Sequence, residues 1–172
     1  MNFSSNKICY LSIGGNLGNR IQILYNTHAL INNHLGNIIS YSPIYMSEPW
    51  GFKHRKYFLN QMIKLETSLL PESLLNTAKQ IEKLQGRTVQ KQNQYEGRTM
   101  DIDIITYGDL NLSKNELHIP HKHLDKRKFV LLPLRDIAPK WTHPKSKINI
   151  DLLIELCKDY SCIRKLKLAP NE

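Results

Sequence analysis

Tyr57-Phe58-Leu59-Asn60-Gln61-Met62-Ile63-Lys64-Leu65-Glu66 alternates, with Leu59, Ile63 and Leu65 on one side and Phe58, Asn60, Met62 and Lys64 on the other. A period of two is that of a strand, and this strand has two unlike faces. Downstream, Pro71 stands at a first helical position, Leu74, Ala78, Ile81 and Gln85 recur at helical spacing, and Gly86 supplies the stop. Upstream, Ile8 to Ile13 (ICYLSI) is a short β-rich run closed by Gly14 and Gly15. After Asn19 a second helical face follows, carrying Ile21, Leu24, His28, Ile31 and Leu35 up to Gly36. Ile38 to Met46 is β-branched and aromatic, but Pro43 inside it predicts an edge strand or a break, and Glu48-Pro49-Trp50-Gly51 reads as loop.

Arg87 to Gly97 has no apolar period and several Gln and Asn residues, which predicts a mobile loop long enough to carry a function. Thr99 to Tyr107 returns to strand. Beyond it come a turn at Gly108-Asp109, a short Leu117-His118-Ile119 segment, and a mixed apolar and basic stretch to Pro139. A last helix is expected from Asn149 to Lys158, with Asn149 as N-cap and Ile150, Leu153, Ile154 and Cys157 inward. Strand, helix, strand, strand, helix, strand is the order of a ferredoxin-like α+β sandwich, in which helices cover one face of a mainly antiparallel sheet.

With 172 residues, no repeat and no linker, one domain spanning 1–172 is expected. No apolar run approaches the ~20 residues of a membrane span, and Met1 to Lys7 lacks the pattern of a secretory signal. Three cysteines, Cys9, Cys157 and Cys162, form no disulfide framework and point to a reducing cytoplasm. Lys and Arg number 24 against 15 acids, a net charge of +9 that draws polyanions. Much of that excess lies between Lys122 and Lys147, where a solvated basic face and an anion site are both open readings.

The chemistry concentrates in Arg98-Thr99-Met100-Asp101-Ile102-Asp103-Ile104-Ile105-Thr106. Residues two apart on a strand share a face about 6.6 Å apart. Asp101 and Asp103 therefore stand side by side while Met100, Ile102 and Ile104 enter the core. Two neighbouring carboxylates need a cation, and a pair of Mg²⁺ ions about 3.5–4 Å apart fits if one carboxylate bridges. The plain alternative is two solvent-facing acids on an edge strand. Arg98 favours the metal reading, because a guanidinium beside a diacid is arranged to hold a phosphate. Arg87, His121 and Arg127 add donors nearby. His121-Lys122-His123 looks like a zinc pair only superficially, and Gly14-Gly15-Asn16-Leu17-Gly18 lacks the spacing of a phosphate loop, so a turn into the first helix is its expected role.

Ile13 to Gly18, Tyr45 to Gly51, Phe58-Leu59-Asn60, Glu82 with Gly86-Arg87, the R-T-x-D-x-D block, Ile119-Pro120-His121, Arg127 with Phe129, and Pro133 through Pro139 occur together in one order. In this the chain resembles the 6-hydroxymethyl-7,8-dihydropterin pyrophosphokinases from Ile8 to Pro139. The R-T-x-D-x-D block followed by x-P-H is the specific part.

The resemblance implies transfer of pyrophosphate from ATP to the pterin hydroxymethyl group, releasing AMP, in folate biosynthesis. It implies two Mg²⁺ ions on Asp101 and Asp103, and Arg98 and Arg87 neutralising phosphate charge, Arg87 being carried by a closing loop. His121 and Arg127 would bind the triphosphate and Glu82 would help position the nucleotide. The pterin would stack between Phe58 and Phe129, with Asn60, Ser47 and backbone near Trp50 reading its edge. A cytoplasmic monomer acting on small molecules is expected, without nucleic-acid or membrane partners.

Several positions depart from the family pattern. Glu96-Gly97 stands where Gly-Pro is common, Tyr95 where Trp or Phe is usual, Lys122 where some members have Tyr, and Glu48 where Pro occurs. Two other classes compete. A basic ferredoxin-like sheet could stack nucleic-acid bases, but bare carboxylates would repel a phosphate backbone. A metal-dependent nuclease also needs paired acids, yet leaves a pterin-sized aromatic slot unexplained.

Overall fold

The structure, a computed structural model, describes residues 6–87 and 97–167. Alternating apolar residues make β1 (Lys7–Gly15) and β4 (Phe58–Thr67) the centre of a six-stranded sheet. They pair antiparallel along their length, from Lys7 opposite Thr67 to Gly15 opposite Leu59. β5 (Asp101–Tyr107) lies antiparallel on the other edge of β1. β2 (Asn37–Tyr41) and β3 (Tyr45–Ser47) both pair with β4 and are the two halves of the run that Pro43 interrupts. β6 (Leu112–Lys114) and β7 (Leu117–Ile119) form a separate hairpin, and β8 (Ile163–Lys165) adds to β3. The order β5-β1-β4 followed by β2 and β3 is the antiparallel ferredoxin-like arrangement.

Two helices cover one face of the sheet. α1 (Arg20–His34) begins at Asn19, whose side chain accepts from Gln22 N at 3.3 Å, and buries Leu24, Thr27 and Ile31. α2 (Pro71–Leu84) starts on Pro71, where a missing N–H costs no helical bond, and buries Leu74, Ala78 and Ile81. Both pack on Leu11, Ile13, Leu59, Ile63, Leu65, Ile102 and Ile104. Each such side chain removed from water contributes about 1.5–3 kcal/mol.

The expectation that helices would cover one face only is corrected. α3 (Lys128–Ile137) and α4 (Ile150–Leu156) lie on the opposite face, where Val130, Leu131, Leu134, Ile150 and Leu153 pack on Tyr10, Met62 and Ile105. Pro133 inside α3 and the surrounding lysines and arginines hide that helix in the sequence, since an interior proline ordinarily ends one. α4 follows the expected Asn149 cap, which accepts from Leu152 N at 2.9 Å, but ends at Leu156, two residues early. β8 had no strand signal in the sequence. The loop expected between Arg87 and Gly97, with Tyr95 and Glu96, lies outside the described residues except for its two ends. Among the described residues no helix is long and apolar enough to cross a membrane.

β1 ends against the segment that leads into β5. Asn16 N and Leu17 N donate to the Arg98 carbonyl at 2.9 and 3.2 Å. The buried Asn16 side chain accepts from Arg98 N at 2.8 Å and donates to the Lys56 carbonyl at 3.2 Å. Gly15 is needed for this approach, because a Cβ there would overlap the Thr99 carbonyl. The glycine turn thus ties β1 to the start of β5 and holds Arg98. Gly15→Ala should lower unfolding stability by about 2 kcal/mol or more, read as a shifted denaturant midpoint; an unchanged midpoint would show that the two segments are not locked together.

Candidate active site

Strand register builds the floor of a cleft on the face that α3 and α4 leave partly open. Asp101, Gly14 and Asn60 fall in one cross-strand row, and Asp103, Ser12 and Met62 in the next. The pleat turns Asp101 and Asp103 away from Met100, Ile102 and Ile104, which are buried on the other side as expected. Only small residues, Gly14 and Ser12, stand between the acids and β4. A Cβ at Gly14 would come within 2.6 Å of Asn60 Oδ1, so glycine there leaves room for the amide. Asn60 Nδ2 donates to Ser47 Oγ at 2.9 Å, fixing a buried polar pair at one end of the floor.

The cleft has a volume of about 220 Å³. Its walls bring together Ser47, Trp50, Phe58, Asn60, Arg87, Arg98, Asp101, Asp103, His121, Arg127 and Phe129. Of the twelve residues expected to catalyse or to bind substrate or metal, Glu82 alone is not among the described wall residues. It is buried behind, accepting from Ile102 N at 2.7 Å, pairing with Arg87 Nη1 at 2.6 Å and hydrogen-bonding Asp101. Ser12, Gly14, Phe52 and His123 also line the cleft, as do Lys122 and Glu48. Ser12 and Gly14 escape a sequence reading because they matter by being small. The signal for them lay in the pairing of β1 with β5, which sets them beside the two acids.

Three guanidiniums ring the acids. Asp101 is bound on both oxygens, by Arg87 Nη1 and by Arg98 Nη1, each at 2.6 Å. Burial raises Asp101, and Arg98 and Arg87 more than reverse it, holding the carboxyl below its usual range. Asp103 has weaker partners, Arg127 Nη1 at 3.4 Å and His121 Nε2 at 3.9 Å. Burial, then the neighbouring Asp101 charge, push Asp103 up to about 7 against the pull of the arginines. Glu82 is likewise raised to about 7 by burial and by Asp101. His121 is pushed down to about 3 by burial and by Arg127, so its ring is neutral. Its Nδ1 accepts from His123 N at 3.2 Å, which puts the proton on Nε2 and makes the imidazole a donor toward the cleft.

Such a donor set suits a hard divalent cation. Two carboxylates share one strand face, and the long contacts of Asp103 would leave a charge there poorly compensated without a cation. Among the described residues no cluster of three or more His, Cys, Asp or Glu surrounds it. Water and phosphate oxygens would therefore complete the coordination. Arg98 Nε and Arg127 Nε are buried without a hydrogen-bond partner among the described residues, two donors suited to an anion.

Aromatic rings close the other end. Phe58 meets Phe52 edge-on at 6.1 Å, and Arg98 lies 5.9 Å from the Phe58 ring. The Arg127 guanidinium sits 4.6 Å over Trp50 and 5.7 Å from Phe129, so one arginine bridges the acidic floor and the aromatic wall.

A family model described as 7,8-dihydro-6-hydroxymethylpterin-pyrophosphokinase matches residues 10–139. A Porphyromonas gingivalis protein named 2-amino-4-hydroxy-6-hydroxymethyldihydropteridine pyrophosphokinase is 38% identical over 142 residues, covering 81% of this chain and 95% of its own. The Folic acid synthesis protein FOL1 of Dictyostelium discoideum is 40% identical over 146 residues, covering 85% of this chain but 22% of that longer one. Among solved structures, wild-type Plasmodium falciparum HPPK-DHPS with pteroate superposes with a TM-score of 0.71 at 18% identity. That match covers 88% of this chain and 44% of the solved one, so this chain corresponds to less than half of it.

A raised carboxyl has a signed consequence for stability. Between pH about 4 and about 7 the folded chain keeps a proton on Asp103 that the unfolded chain has released. Stability therefore falls as pH rises through that window, and the loss is complete above it. In the presence of a chelator, Asp103→Asn should raise the melting temperature at pH 8, and the gain should shrink toward zero as the pH is lowered to 4. A lower melting temperature for the variant at pH 8 would contradict the geometry described.

Proposed function

Because the chain belongs to the 7,8-dihydro-6-hydroxymethylpterin-pyrophosphokinase family, we propose that this cleft is where the transfer occurs and that Asp101 and Asp103 are its cation ligands. The chain is a pyrophosphokinase of folate synthesis that transfers pyrophosphate from ATP to 6-hydroxymethyl-7,8-dihydropterin. The pterin hydroxyl oxygen bonds to the β-phosphorus and gives up its proton, which passes to solvent, as the bridge to the α-phosphate breaks, and AMP leaves with the bridging oxygen. One observation carries the assignment of the site. A diacid floor ringed by three guanidiniums opens directly onto an aromatic wall in the same cleft.

Two Mg²⁺ ions, which Asp101 and Asp103 would hold, would neutralise phosphate charge when bound. The chain's own residues do the rest. Arg98, fixed by the Asn16 clamp, and Arg127 present their buried Nε donors to phosphate oxygens. His121 donates through Nε2 as a neutral group, so it orients a phosphate without adding charge. Arg87, held by Glu82 and Asp101, exchanges a carboxylate for the transferring phosphates, with Glu82 setting its starting position. Phe58 and Phe129 sandwich the pterin, and the Asn60–Ser47 pair and backbone near Trp50 read its edge. Positioning and charge neutralisation supply most of the rate, as in phosphoryl transfer generally. The reading extends to a one-domain cytoplasmic monomer that acts on small molecules, without nucleic-acid or membrane partners.

Incubated with ATP, Mg²⁺ and the reduced pterin alcohol, the protein should form AMP one-for-one with pterin methyl diphosphate; ADP would mean transfer of a single phosphoryl group. Asp101→Ala and Asp103→Ala should each cut AMP formation by about 10³-fold or more with the fold retained by circular dichroism, and an active double variant would end the cation assignment. Arg87→Ala should lower kcat more than it weakens pterin binding. The reverse pattern would make Arg87 a binding group.

A further inference from the structure

Residues that follow the family-matched region brace the elements that carry both walls of the cleft. Asp159 is 7% exposed, and its Oδ2 accepts from Lys128 N, the first residue of α3, at 3.0 Å. Its Oδ1 is held in turn by Ser161 N at 3.0 Å and Ser161 Oγ at 2.6 Å. α3 has no side-chain cap of its own, because Arg127 occupies the cap position and a guanidinium has no acceptor to offer; its side chain lines the cleft instead. Asp159 therefore supplies from elsewhere in the chain the acceptor and the negative charge that a helix N-terminus favours. The residues flanking that hydrogen bond are Arg127, which lies over Trp50 and reaches Asp103, and Phe129.

The same segment then reaches the opposite wall. Ile163 of β8 pairs with Ser47 of β3, the residue that accepts from Asn60. Lys165 pairs with Asp136 of α3 at 3.0 Å, and Asp136 also accepts from Tyr45 Oη of β3 at 2.6 Å. From Asp159 to Lys165 the chain thus ties α3 to β3 on either side of the opening.

We propose that Asp159 is a positioning residue of this enzyme, acting through the start of α3 to hold Arg127 and Phe129 in place for nucleotide and pterin. The proposal rests on the reading that Arg127 and Phe129 bind substrate. A group that acts through another has a recognisable energetic signature: its effect disappears once the group it positions is removed. Asp159→Ala withdraws the acceptor. Asp159→Asn keeps the bond to α3, because the amide oxygen can accept from Lys128 N while Nδ2 donates to Ser161 Oγ, and gives up only the bond from Ser161 N.

The test is a double-mutant cycle on the full chain, titrated with Mg²⁺ and a non-hydrolysable ATP analogue at a temperature where every variant is folded. Asp159→Ala should weaken nucleotide binding about 5- to 20-fold, the effect of losing a cap-strength interaction. Asp159→Asn should restore at least half of the lost affinity on a logarithmic scale, and Asp159→Ala should change little in an Arg127→Ala background. Should Asp159→Ala fail to fold, Asp159→Asn combined with Ser161→Ala, which removes the hydroxyl that steadies the amide, should give a partial loss, likewise absent without Arg127. Equal effects with and without Arg127, or full affinity in Asp159→Ala, would overturn the proposal. If Arg127→Ala alone binds nucleotide normally, the failure lies instead in the assignment of Arg127.

Discussion

Two carboxylates on successive outward positions of β5 repel one another, and most of what surrounds them answers that repulsion. Asp101 is neutralised by Arg87 and Arg98, while Asp103 has only distant partners and is pushed up to about 7 by burial and by its neighbour. An arrangement of this kind costs stability, and a protein concerned only with folding would replace it with apolar residues. It is intelligible as a site prepared for cations and phosphates that complete the charge balance.

The fold serves that constraint through small features. Gly14 and Ser12 leave the floor shallow, Gly15 lets β1 touch the Arg98–Thr99 backbone, and Asn16 locks Arg98 by both its carbonyl and its N–H. Arginine in that position is pre-aimed, so less conformational freedom remains to be lost when a phosphate arrives. α3 performs the matching task on the other wall by closing the second hydrophobic cluster with one face while its N-terminal end carries Arg127 at the cap and Phe129 in the first turn.

Much of this was legible in the residues alone. The period-two pattern of β4, the capped face of α1 and the Pro71 start of α2 mark local elements whose own chemistry dictates them, and Asp101-Ile102-Asp103 declares its two faces by alternation. Eleven of the residues singled out in the sequence line one cleft. What escaped depends on contacts distant in the chain. α3 carries a proline in its middle and is stabilised by packing on Tyr10, Met62 and Ile105 rather than by propensity. β8 exists because β3 offers an edge, not because Ile163-Arg164-Lys165 is a strong strand. Glu82 stands in the expected neighbourhood but behind Arg87, a depth that spacing along a helix does not reveal.

The central claim is that the acids on β5 grip divalent ions against the nucleotide. It is tested most directly by anomalous diffraction from crystals grown with Mn²⁺ and a non-hydrolysable ATP analogue. The account predicts two manganese peaks within coordination distance of Asp101 and Asp103, both also touching phosphate oxygens. A bound nucleotide held by the arginines, with no manganese at that pair of carboxylates, would contradict it.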